Sequence, residues 1–553
     1  MAALLASIAL LPSQALAVPD GFAEQVEALL EESVPADGPG VSVIVTEHAQ
    51  NVFVGARGMA NIEQGAPITP ETQFRLGSIT KQFAAAVILQ LAQEGSLSLD
   101  DPLSKFLPEY PEPGANVTIR QLLNHTSGIA SYTSIPGFMN EANMSRHWTT
   151  AELTAVFKDR PLDFTPGEQY LYNNSGYILV GAVIEAVTGK PWYEAVEARI
   201  SKPLGLATLR SFADEAAVRE MATGYTTGDD GVAELAVPID ASVPGAAGAL
   251  RGNVIDLAAW ANALHGGKVL GADMYGEMTR RGTLANGETI NYALGLDNSE
   301  FRGRPSIGHG GGINGFNTAS VYLPDHDVFV AVFNNTDSPE VSANTLMAKV
   351  AALAIGEPFE ALAKVPLDMD AVAPLLGEYR ISDNEGRKFY ERDGKLYTMR
   401  TGGGEREVFP AGGDRFFYGP SSLTWFAISR GADDVLQMAM YQDGASEAEI
   451  SHWAGPVSTA PAVVIEPELL ASYVGTYTSE IGTLLLAVSA SGELTAKLNS
   501  QPSLTLVPQS ETLFAVQGVD ATVSLTVVDG KVTGAVIGQG GQEMALERSD
   551  TGD

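Results

Sequence analysis

The chain has 553 residues, which is too many for a single hydrophobic core and predicts about two to four domains. With 45% hydrophobic and 18% charged residues, its composition is that of a folded globular protein. The net charge of −34 argues against nucleic acid or anionic lipid as a partner, and the absence of cysteine excludes a thiol nucleophile, disulfides and a cysteine-based zinc site.

The N-terminus carries the pattern of an export signal. An apolar run covers residues 2–11, and Ala15-Leu16-Ala17 supplies the small-x-small pattern of a signal-peptidase site, although no Lys or Arg precedes the run. We therefore expect a signal peptide at 1–17 and a periplasmic or secreted protein, with a buried N-terminal helix as the alternative. No segment is long and apolar enough for a transmembrane helix, so no integral membrane segment is predicted.

Residues 18–360 mix helical and strand patterns and are predicted to form one domain. An amphipathic helix at 22–32 precedes a hairpin of strands at 41–46 and 51–55. A second hairpin, at 318–323 and 328–333, precedes an alanine-rich helix at 342–354. Because both ends supply strands and a flanking helix, we expect an α+β domain whose antiparallel sheet is assembled from the two ends, with a helical region between them.

The C-terminal part is rich in strands and contains an internal repeat. Four landmarks recur at a constant separation of 98 residues: Gly377 and Gly475, Gly394 and Gly492, Pro410 and Pro508, Phe416 and Phe514. These predict two small antiparallel β-barrels at 366–457 and 466–553, joined by a linker at 458–467. Asp443-Gly444 and Asp529-Gly530 are only 86 residues apart, which predicts a 12-residue longer loop in the first copy.

Ser78-Ile79-Thr80-Lys81 is an S-x-x-K motif, of which a chain of this composition contains on the order of one by chance. Gly77 precedes the serine, and the apolar run at 83–91 follows, so Ser78 is predicted at the start of a buried helix. Residues three apart share a helix face, which puts the Lys81 amine beside the Ser78 hydroxyl. Burial can lower the lysine pKa enough for it to act as a base. The alternative is a serine N-cap followed by a surface lysine.

Two further runs can carry chemistry. Tyr172-Asn173-Asn174 lies in a polar turn before an apolar helix at 178–187, where a partly ionised tyrosine could relay a proton and Asn174 could hold a substrate carbonyl. His309-Gly310-Gly311-Gly312 precedes the second hairpin, and its glycines allow backbone to approach a substrate. The amides of Gly312 and Ser78 could then form an oxyanion hole. Each run alone is also compatible with a structural turn or cap.

In this order and spacing, the three runs resemble the S-x-x-K, Y-x-N and H-x-G triplet of the penicillin-recognising serine hydrolases, which include the serine β-lactamases. Supporting segments at 122–128 and 249–252 are also similar to that family, and the resemblance covers about residues 20–355. It implies an antiparallel sheet flanked by helices beside a helical region, with the site between them. His309 stands where β-lactamases have the lysine of K-T-G, which resembles the D-aminopeptidase, D-alanyl carboxypeptidase and esterase branch.

The resemblance implies acylation of Ser78 by a peptide, ester or lactam carbonyl and then hydrolysis by water. Lys81 and Tyr172 would share the acid and base work, with His309 as a further donor or relay. The substrate-binding residues would be Asn174, Gly311 and Gly312. We read His125 as a structural residue of the cleft.

The predicted function is a peptidase for short peptides with D-residues, of the D-aminopeptidase, D-Ala carboxypeptidase or linearised-microcystin type. A carboxylesterase or weak β-lactamase on the same site is the alternative, and a non-catalytic binder of cell-wall peptides is an alternative of another class. No cofactor or metal is predicted, because the seven histidines are scattered. The barrels either restrict access to the site or only dock and stabilise, and the sequence does not indicate an oligomeric state.

Overall fold

The computed structural model describes residues 18–228, 230–431, 434–457, 463, 465–479, 482–489, 491–499, 501–528 and 531–549. The predicted signal peptide and most of the predicted linker lie outside these residues. The chain divides into two compact units, Met1–Phe359 and Glu360–Asp553. None of the helices in the described ranges has the length and apolar character needed to cross a membrane.

One antiparallel sheet of six strands organises the first unit. Its strands are β1 (Val41–Glu47), β2 (Gln50–Arg57), β3 (Asp297–Phe301), β4 (Arg304–Ile313), β5 (Phe316–Leu323) and β6 (Val328–Asn334). Their spatial order is β3-β4-β5-β6-β1-β2, so the two ends of the unit meet where β1 pairs with β6. The predicted α+β fold, with a sheet built from both ends, is confirmed.

Both faces of the sheet are covered. Strands β1 and β6 are buried along almost their whole length, which explains why they read as continuous Val-rich runs rather than alternating ones. On one face Val43 and Val332 pack with the first and last helices of the unit, and on the other Ile44 and Phe333 join the core of the helical region.

The α-helices of the first unit are α1 (Phe22–Ser33), α2 (Thr80–Gln93), α3 (Ile119–Leu123), α4 (Glu141–Ser145), α5 (Thr150–Phe157), α6 (Asn174–Thr188), α7 (Trp192–Val196), α8 (Lys202–Leu204), α9 (Gly245–Gly248), α10 (Val254–His265), α11 (Ala272–Thr279) and α12 (Ala343–Ala354).

A small three-stranded sheet supports the segment that leads into Ser78. Phe74–Arg75 pairs with Leu250–Gly252, which pairs in turn with Arg210–Ser211. The amide of Leu76 continues this contact by donating to the Leu250 carbonyl at 2.8 Å. The remaining short strands are Met59–Asn61, Ala66–Pro67, Tyr225–Thr227, Ala233–Leu235, Gly282–Thr283 and Thr289–Ile290.

The second unit contains two closed antiparallel barrels of eight strands each, as predicted. The strands of the first are Gly377–Arg380, Gly386–Arg392, Lys395–Arg400, Glu405–Gly412, Arg415–Phe417, Trp425–Arg430, Leu436–Tyr441 and Glu449–Gly455. Those of the second are Gly475–Ser479, Gly482–Val488, Leu494–Leu498, Leu504–Pro508, Leu513–Val516, Ala521–Val528, Lys531–Gln539 and Gln542–Arg548. Short helices, α13 (Met369–Val372) and α14 (Pro467–Tyr473), precede the barrels.

The sequence repeat corresponds to equivalent positions in the two barrels. Pro410 pairs with Phe416 in the first barrel, and Pro508 pairs with Phe514 in the second. In both opening strands a fully buried tyrosine hydroxyl donates to the carbonyl four residues earlier, from Tyr379 to Leu375 at 2.5 Å and from Tyr477 to Tyr473 at 2.7 Å.

The predicted 12-residue longer loop is wrong. Asp443-Gly444 lies between the seventh and eighth strands of the first barrel, whereas residues 529–530, themselves outside the described ranges, fall between the sixth and seventh strands of the second. The two Asp-Gly pairs therefore stand between different pairs of strands in the two copies. Their separation says nothing about loop length.

Candidate active site

Ser78 lies where the sequence predicts it, at the start of a buried helix. A single 3₁₀ turn, Gly77–Ile79, leads into α2, whose first ten residues, Thr80 to Leu89, are all buried. Lys81 follows in the first turn of α2, and its Nζ is 3.0 Å from Ser78 Oγ. Because the first N–H groups of a helix have no partner within it, the amide of Ser78 is free to bind a substrate oxygen.

The Lys81 side chain is completely buried and held by three oxygens. Besides Ser78 Oγ, its Nζ contacts Asn174 Oδ1 and the carbonyl oxygen of Ala247, each at 2.9 Å. Burial holds the pKa of Lys81 well below its usual value. A neutral amine has two N–H groups and one lone pair, so it can donate to the two carbonyl oxygens and accept the hydroxyl proton of Ser78.

Tyr172 lies beside the same pair. Its ring centroid is 4.7 Å from Lys81 Nζ, and its hydroxyl is close enough to Ser78 to interact with it. Burial of the hydroxyl raises the pKa of Tyr172 above its usual value, although the residue as a whole remains 37% exposed. The raised pKa favours the protonated hydroxyl, which can act as a donor, over the partial ionisation expected from the sequence.

The two asparagines after Tyr172 have different roles. Asn173 caps α6, because its Oδ1 accepts from the Gly176 amide at 2.8 Å, and its Nδ2 donates to the carbonyl of Ile129. Asn174 points to the site, where its amide oxygen is engaged by Lys81. In this structure Asn174 therefore positions the lysine, and its predicted contact with a substrate carbonyl stays a prediction.

His309 lies in strand β4 rather than in a turn before the hairpin. Its Nδ1 donates to the Gly310 carbonyl at 2.5 Å, and its Nε2 accepts from the Tyr292 hydroxyl at 2.8 Å. Burial, reinforced by the nearby Lys81, lowers the pKa of His309 to about 4. The imidazole is consequently neutral near pH 7, with its tautomer set by these two partners.

Gly311 and Gly312 face opposite surroundings. A side chain at Gly311 would collide with the Leu76 carbonyl and the Thr318 hydroxyl, whereas a side chain at Gly312 would enter open space. Ile313 and Phe316 form the hydrogen-bonded pair that closes the hairpin of β4 and β5, and Gly312 and Asn317 form the next pair. Since hydrogen-bonded and non-hydrogen-bonded pairs alternate along an antiparallel ladder, Gly312 belongs to a pair without hydrogen bonds. The Gly312 amide is therefore available to a substrate oxygen.

Gly77 brings the two amides of the predicted oxyanion hole together. It has a φ of 54°, and a Cβ there would lie 2.9 Å from the Gly312 nitrogen. Only glycine satisfies both the left-handed backbone and this approach. The turn that carries Ser78 thus packs directly against the part of β4 that carries Gly312.

His125 lies in an aromatic cluster behind Tyr172. Its ring centroid is 4.3 Å from that of Tyr172 and 4.6 Å from that of Tyr292, and its Nδ1 accepts from the Asn173 amide at 3.1 Å. Burial and the nearby Lys81 hold the pKa of His125 well below its usual value. The structural role of His125 stays a prediction.

The structure adds three participants that the sequence did not reveal. The Ala247 carbonyl binds Lys81, Tyr292 binds His309, and Asp297 lies beside Tyr292 across a tight loop. None of them belongs to a motif with recognisable spacing. Within the described ranges, no group of three His, Cys, Asp or Glu side chains could hold a metal ion.

A serine beside a buried lysine whose pKa is held well below its usual value, with a tyrosine and two free amides around it, defines a serine hydrolase site. The family described as Beta-lactamase matches residues 26–354, more than half of the chain. The protein therefore belongs to the Beta-lactamase family.

Relatives within this family carry several names. A penicillin-binding protein of Bacillus subtilis is 24% identical over 74% of this chain and 94% of its own length. A D-aminopeptidase of Gluconobacter oxydans is 27% identical over 62% of this chain and 64% of its own. An esterase of Burkholderia gladioli is 34% identical over 30% of this chain and 45% of its own.

A solved structure, the D-stereospecific amidohydrolase from a Streptomyces species, is 31% identical with a TM-score of 0.52. It covers 61% of this chain and 98% of that one. The enzyme class and the fold agree with those predicted from the sequence, while the names of the relatives divide between amide and ester substrates.

Proposed function

We propose that this protein hydrolyses short peptides or amides that contain D-residues, through an acyl-enzyme on Ser78. The activity is of the D-aminopeptidase, D-Ala carboxypeptidase or linearised-microcystin type. The observation that carries the proposal is the Lys81 amine, which is buried, bound by two carbonyl oxygens and 3.0 Å from Ser78 Oγ. A base in this state can take the hydroxyl proton at neutral pH.

Acylation follows from this arrangement. Ser78 Oγ attacks the substrate carbonyl carbon while its proton moves to Lys81 Nζ. The developing oxyanion accepts hydrogen bonds from the amides of Ser78 and Gly312. When the carbon–nitrogen bond breaks, the leaving nitrogen takes a proton from the Tyr172 hydroxyl, and Lys81 returns its proton to that oxygen.

Deacylation uses the same groups in reverse. Water attacks the ester carbonyl, its proton passes through Tyr172 to Lys81, and Ser78 leaves with a proton from the lysine. His309 keeps Tyr292 in place and, being neutral, offers no positive charge to the substrate. This distinguishes the site from one that carries lysine at this position.

The preference for D-residues rests on the named relatives. The D-aminopeptidase and the D-stereospecific amidohydrolase align with 62% and 61% of this chain, and their names refer to D-substrates. The Burkholderia esterase favours a second candidate, a carboxylesterase, because it has the highest identity of the three curated relatives compared, though over a short region. Export of the protein is a further proposal, supported by the signal-peptide pattern at residues 1–17.

A substrate panel tests the proposal. The wild type and Ser78→Ala are incubated with D-amino-acid amides, D-Ala-D-Ala peptides, linear microcystin, p-nitrophenyl esters and the lactam nitrocefin. We expect amide turnover by the wild type only, with fluorophosphonate labelling that Ser78→Ala abolishes. Turnover of esters alone would replace the peptidase with the esterase, and failure to label would favour the non-catalytic binder.

A further inference from the structure

Asp297 is an acidic residue beside the site that neither the sequence motifs nor the mechanism uses. It begins β3 and forms a bridge with Tyr292 across a tight loop, closed by a 2.8 Å hydrogen bond from the Ala293 amide to the Leu296 carbonyl. It also pairs with Gly308, the residue before His309. Directly opposed residues of an antiparallel pair project to the same face, so Asp297 lies on the side of Tyr292.

The Asp297 carboxyl group acts on the tyrosines around Ser78. Burial is the main cause of the raised pKa values of Tyr170, Tyr172 and Tyr292, and the negative charge of Asp297 adds to each of them. These rings are neighbours, since the Tyr292 centroid is 5.9 Å from that of Tyr170 and 6.0 Å from that of Tyr172. Asp297 is thus separated from Tyr172, which interacts with Ser78, by the single ring of Tyr292.

Asp297 has no partner in the described part of the chain. No hydrogen bond or ion pair reaches its carboxylate there, whereas other carboxylates of this unit are paired, for example Glu277 with Arg120 at 2.6 Å. Its surroundings desolvate the carboxyl group and raise the pKa of Asp297 to about 6. The residue is nevertheless exposed, so a charged group of a substrate can reach it.

The other charged groups near the nucleophile offer nothing to an anionic substrate. Lys81 is buried and bound by carbonyl oxygens, and both ring nitrogens of the neutral His309 are engaged. Arg75, three residues before Ser78, is paired with Glu215. An unpartnered carboxylate without an available cation favours a substrate that carries a positive charge close to its scissile carbonyl.

We propose that Asp297 binds the protonated α-amino group of the residue whose carbonyl Ser78 attacks. This deepens and rests on the function proposed above. The Asp297 carboxylate would select amino-acid amides with a free amine and the N-terminal residues of peptides. It would disfavour substrates that are recognised by a terminal carboxylate. Among the proposed activities, it singles out the aminopeptidase type.

The test compares D-phenylalanine p-nitroanilide with its N-acetyl derivative, which lacks the charge but has the same leaving group. We expect the wild type to prefer the free amine and Asp297→Asn to lower kcat/KM for it by roughly 10²-fold, with the N-acetyl substrate little changed. Glu300→Gln is the matched control, because Glu300 is exposed on the same strand. This control should leave the preference unchanged.

Acylation by p-nitrophenyl acetate separates the two possible failures. If the wild type neither reacts with this ester nor binds fluorophosphonate, the proposed function itself fails. If it reacts with the ester and cleaves both anilides equally, recognition of the amine is wrong; if it reacts with the ester and cleaves neither anilide, the esterase replaces the peptidase and the proposed function fails. An equal loss on both anilides in Asp297→Asn would also overturn the proposal, since it would mean that Asp297 only supports the tyrosines.

Discussion

The Tyr292 hydroxyl donates to Nε2 of His309 across 2.8 Å, and both residues are buried. Because Nε2 accepts this bond, the neutral imidazole has its proton on Nδ1, which donates to the Gly310 carbonyl. The histidine of the H-x-G motif is thus held by a residue seventeen positions away that no motif marks.

Replacing Tyr292 by Phe tests this bond. The buried Nε2 of His309 would lose its donor, so we expect the free energy of unfolding to fall by about 1–3 kcal/mol and kcat to fall with it. Urea unfolding and steady-state kinetics check both effects. Tyr193→Phe, at an exposed tyrosine outside the site, is the control and should change stability by less than about 0.5 kcal/mol.

A carboxylate at position 174 should move the pH dependence of acylation. Burial lowers the pKa of Lys81, so the acid limb of kcat/KM for p-nitrophenyl acetate should lie well below the usual lysine value. In Asn174→Asp a negative charge would face Lys81 Nζ, favour its protonated form and raise its pKa. The limb should therefore shift to higher pH. Asn174→Ala is the control without charge, and an equal shift in both variants would contradict the role of Lys81 as the base.

The two neighbouring glycines of β4 provide a matched pair. Gly311→Ala would place a methyl group against the Leu76 carbonyl and Thr318, so we expect a loss of about 1–3 kcal/mol in unfolding free energy. Gly312→Ala meets open space and should keep its stability, while the methyl group stands beside the amide that is to bind the substrate oxygen and should lower kcat/KM. Equal stability losses would mean that Gly312 is packed rather than open.

His265 should make the first unit sensitive to acid. It stacks on Tyr322 at 3.9 Å, and burial, opposed by Asp327, lowers the pKa of His265 to about 4. The unfolded chain therefore takes up the proton first as pH falls below about 6.5, and stability is lost until about pH 4. For this residue the loss is about 3 kcal/mol.

His265→Phe measures that contribution. The other histidines act equally in both proteins, so the difference between the wild-type and variant slopes isolates position 265. Urea unfolding is measured between pH 4 and 7 for both proteins, with hydrogen exchange of the α10 amides as the probe. The free energy of unfolding plotted against pH gives the two slopes. Parallel slopes would show that His265 does not titrate in this range.

A chain ending at Phe359 addresses the role of the barrels. The first unit has its own cores, so we expect it to fold and to be labelled at Ser78 by fluorophosphonate. Its rates with short and long D-peptides are then compared with those of the full chain. A gain confined to long peptides would favour restricted access, unchanged rates would favour docking alone, and loss of labelling would contradict an independent catalytic unit.

Local patterns predicted much of the fold and site. The Ser78–Lys81 contact follows from helix periodicity, and the sheet follows from the strand runs at both ends of the unit. The glycine run after His309 was not recognised as part of a strand, because glycine weakens strands in general. Here the close approach of the Leu76 carbonyl requires it.

The remaining parts of the site depend on contacts between distant segments. The Ala247 carbonyl is 166 residues from Lys81, and nothing in its surrounding sequence indicates that it accepts a hydrogen bond from a lysine. Likewise Asp297 and Tyr292 come beside the motifs only once β3 pairs with β4. Tertiary packing, rather than residue type, selects these participants.

The two carbonyl oxygens that hold Lys81 have a consequence for the energetics of turnover. Because Asn174 and Ala247 already fix the amine, little side-chain freedom remains to be lost when the nucleophile attacks. The barrier to acylation should then be mainly enthalpic, with a small activation entropy and a correspondingly steep dependence of the acylation rate on temperature.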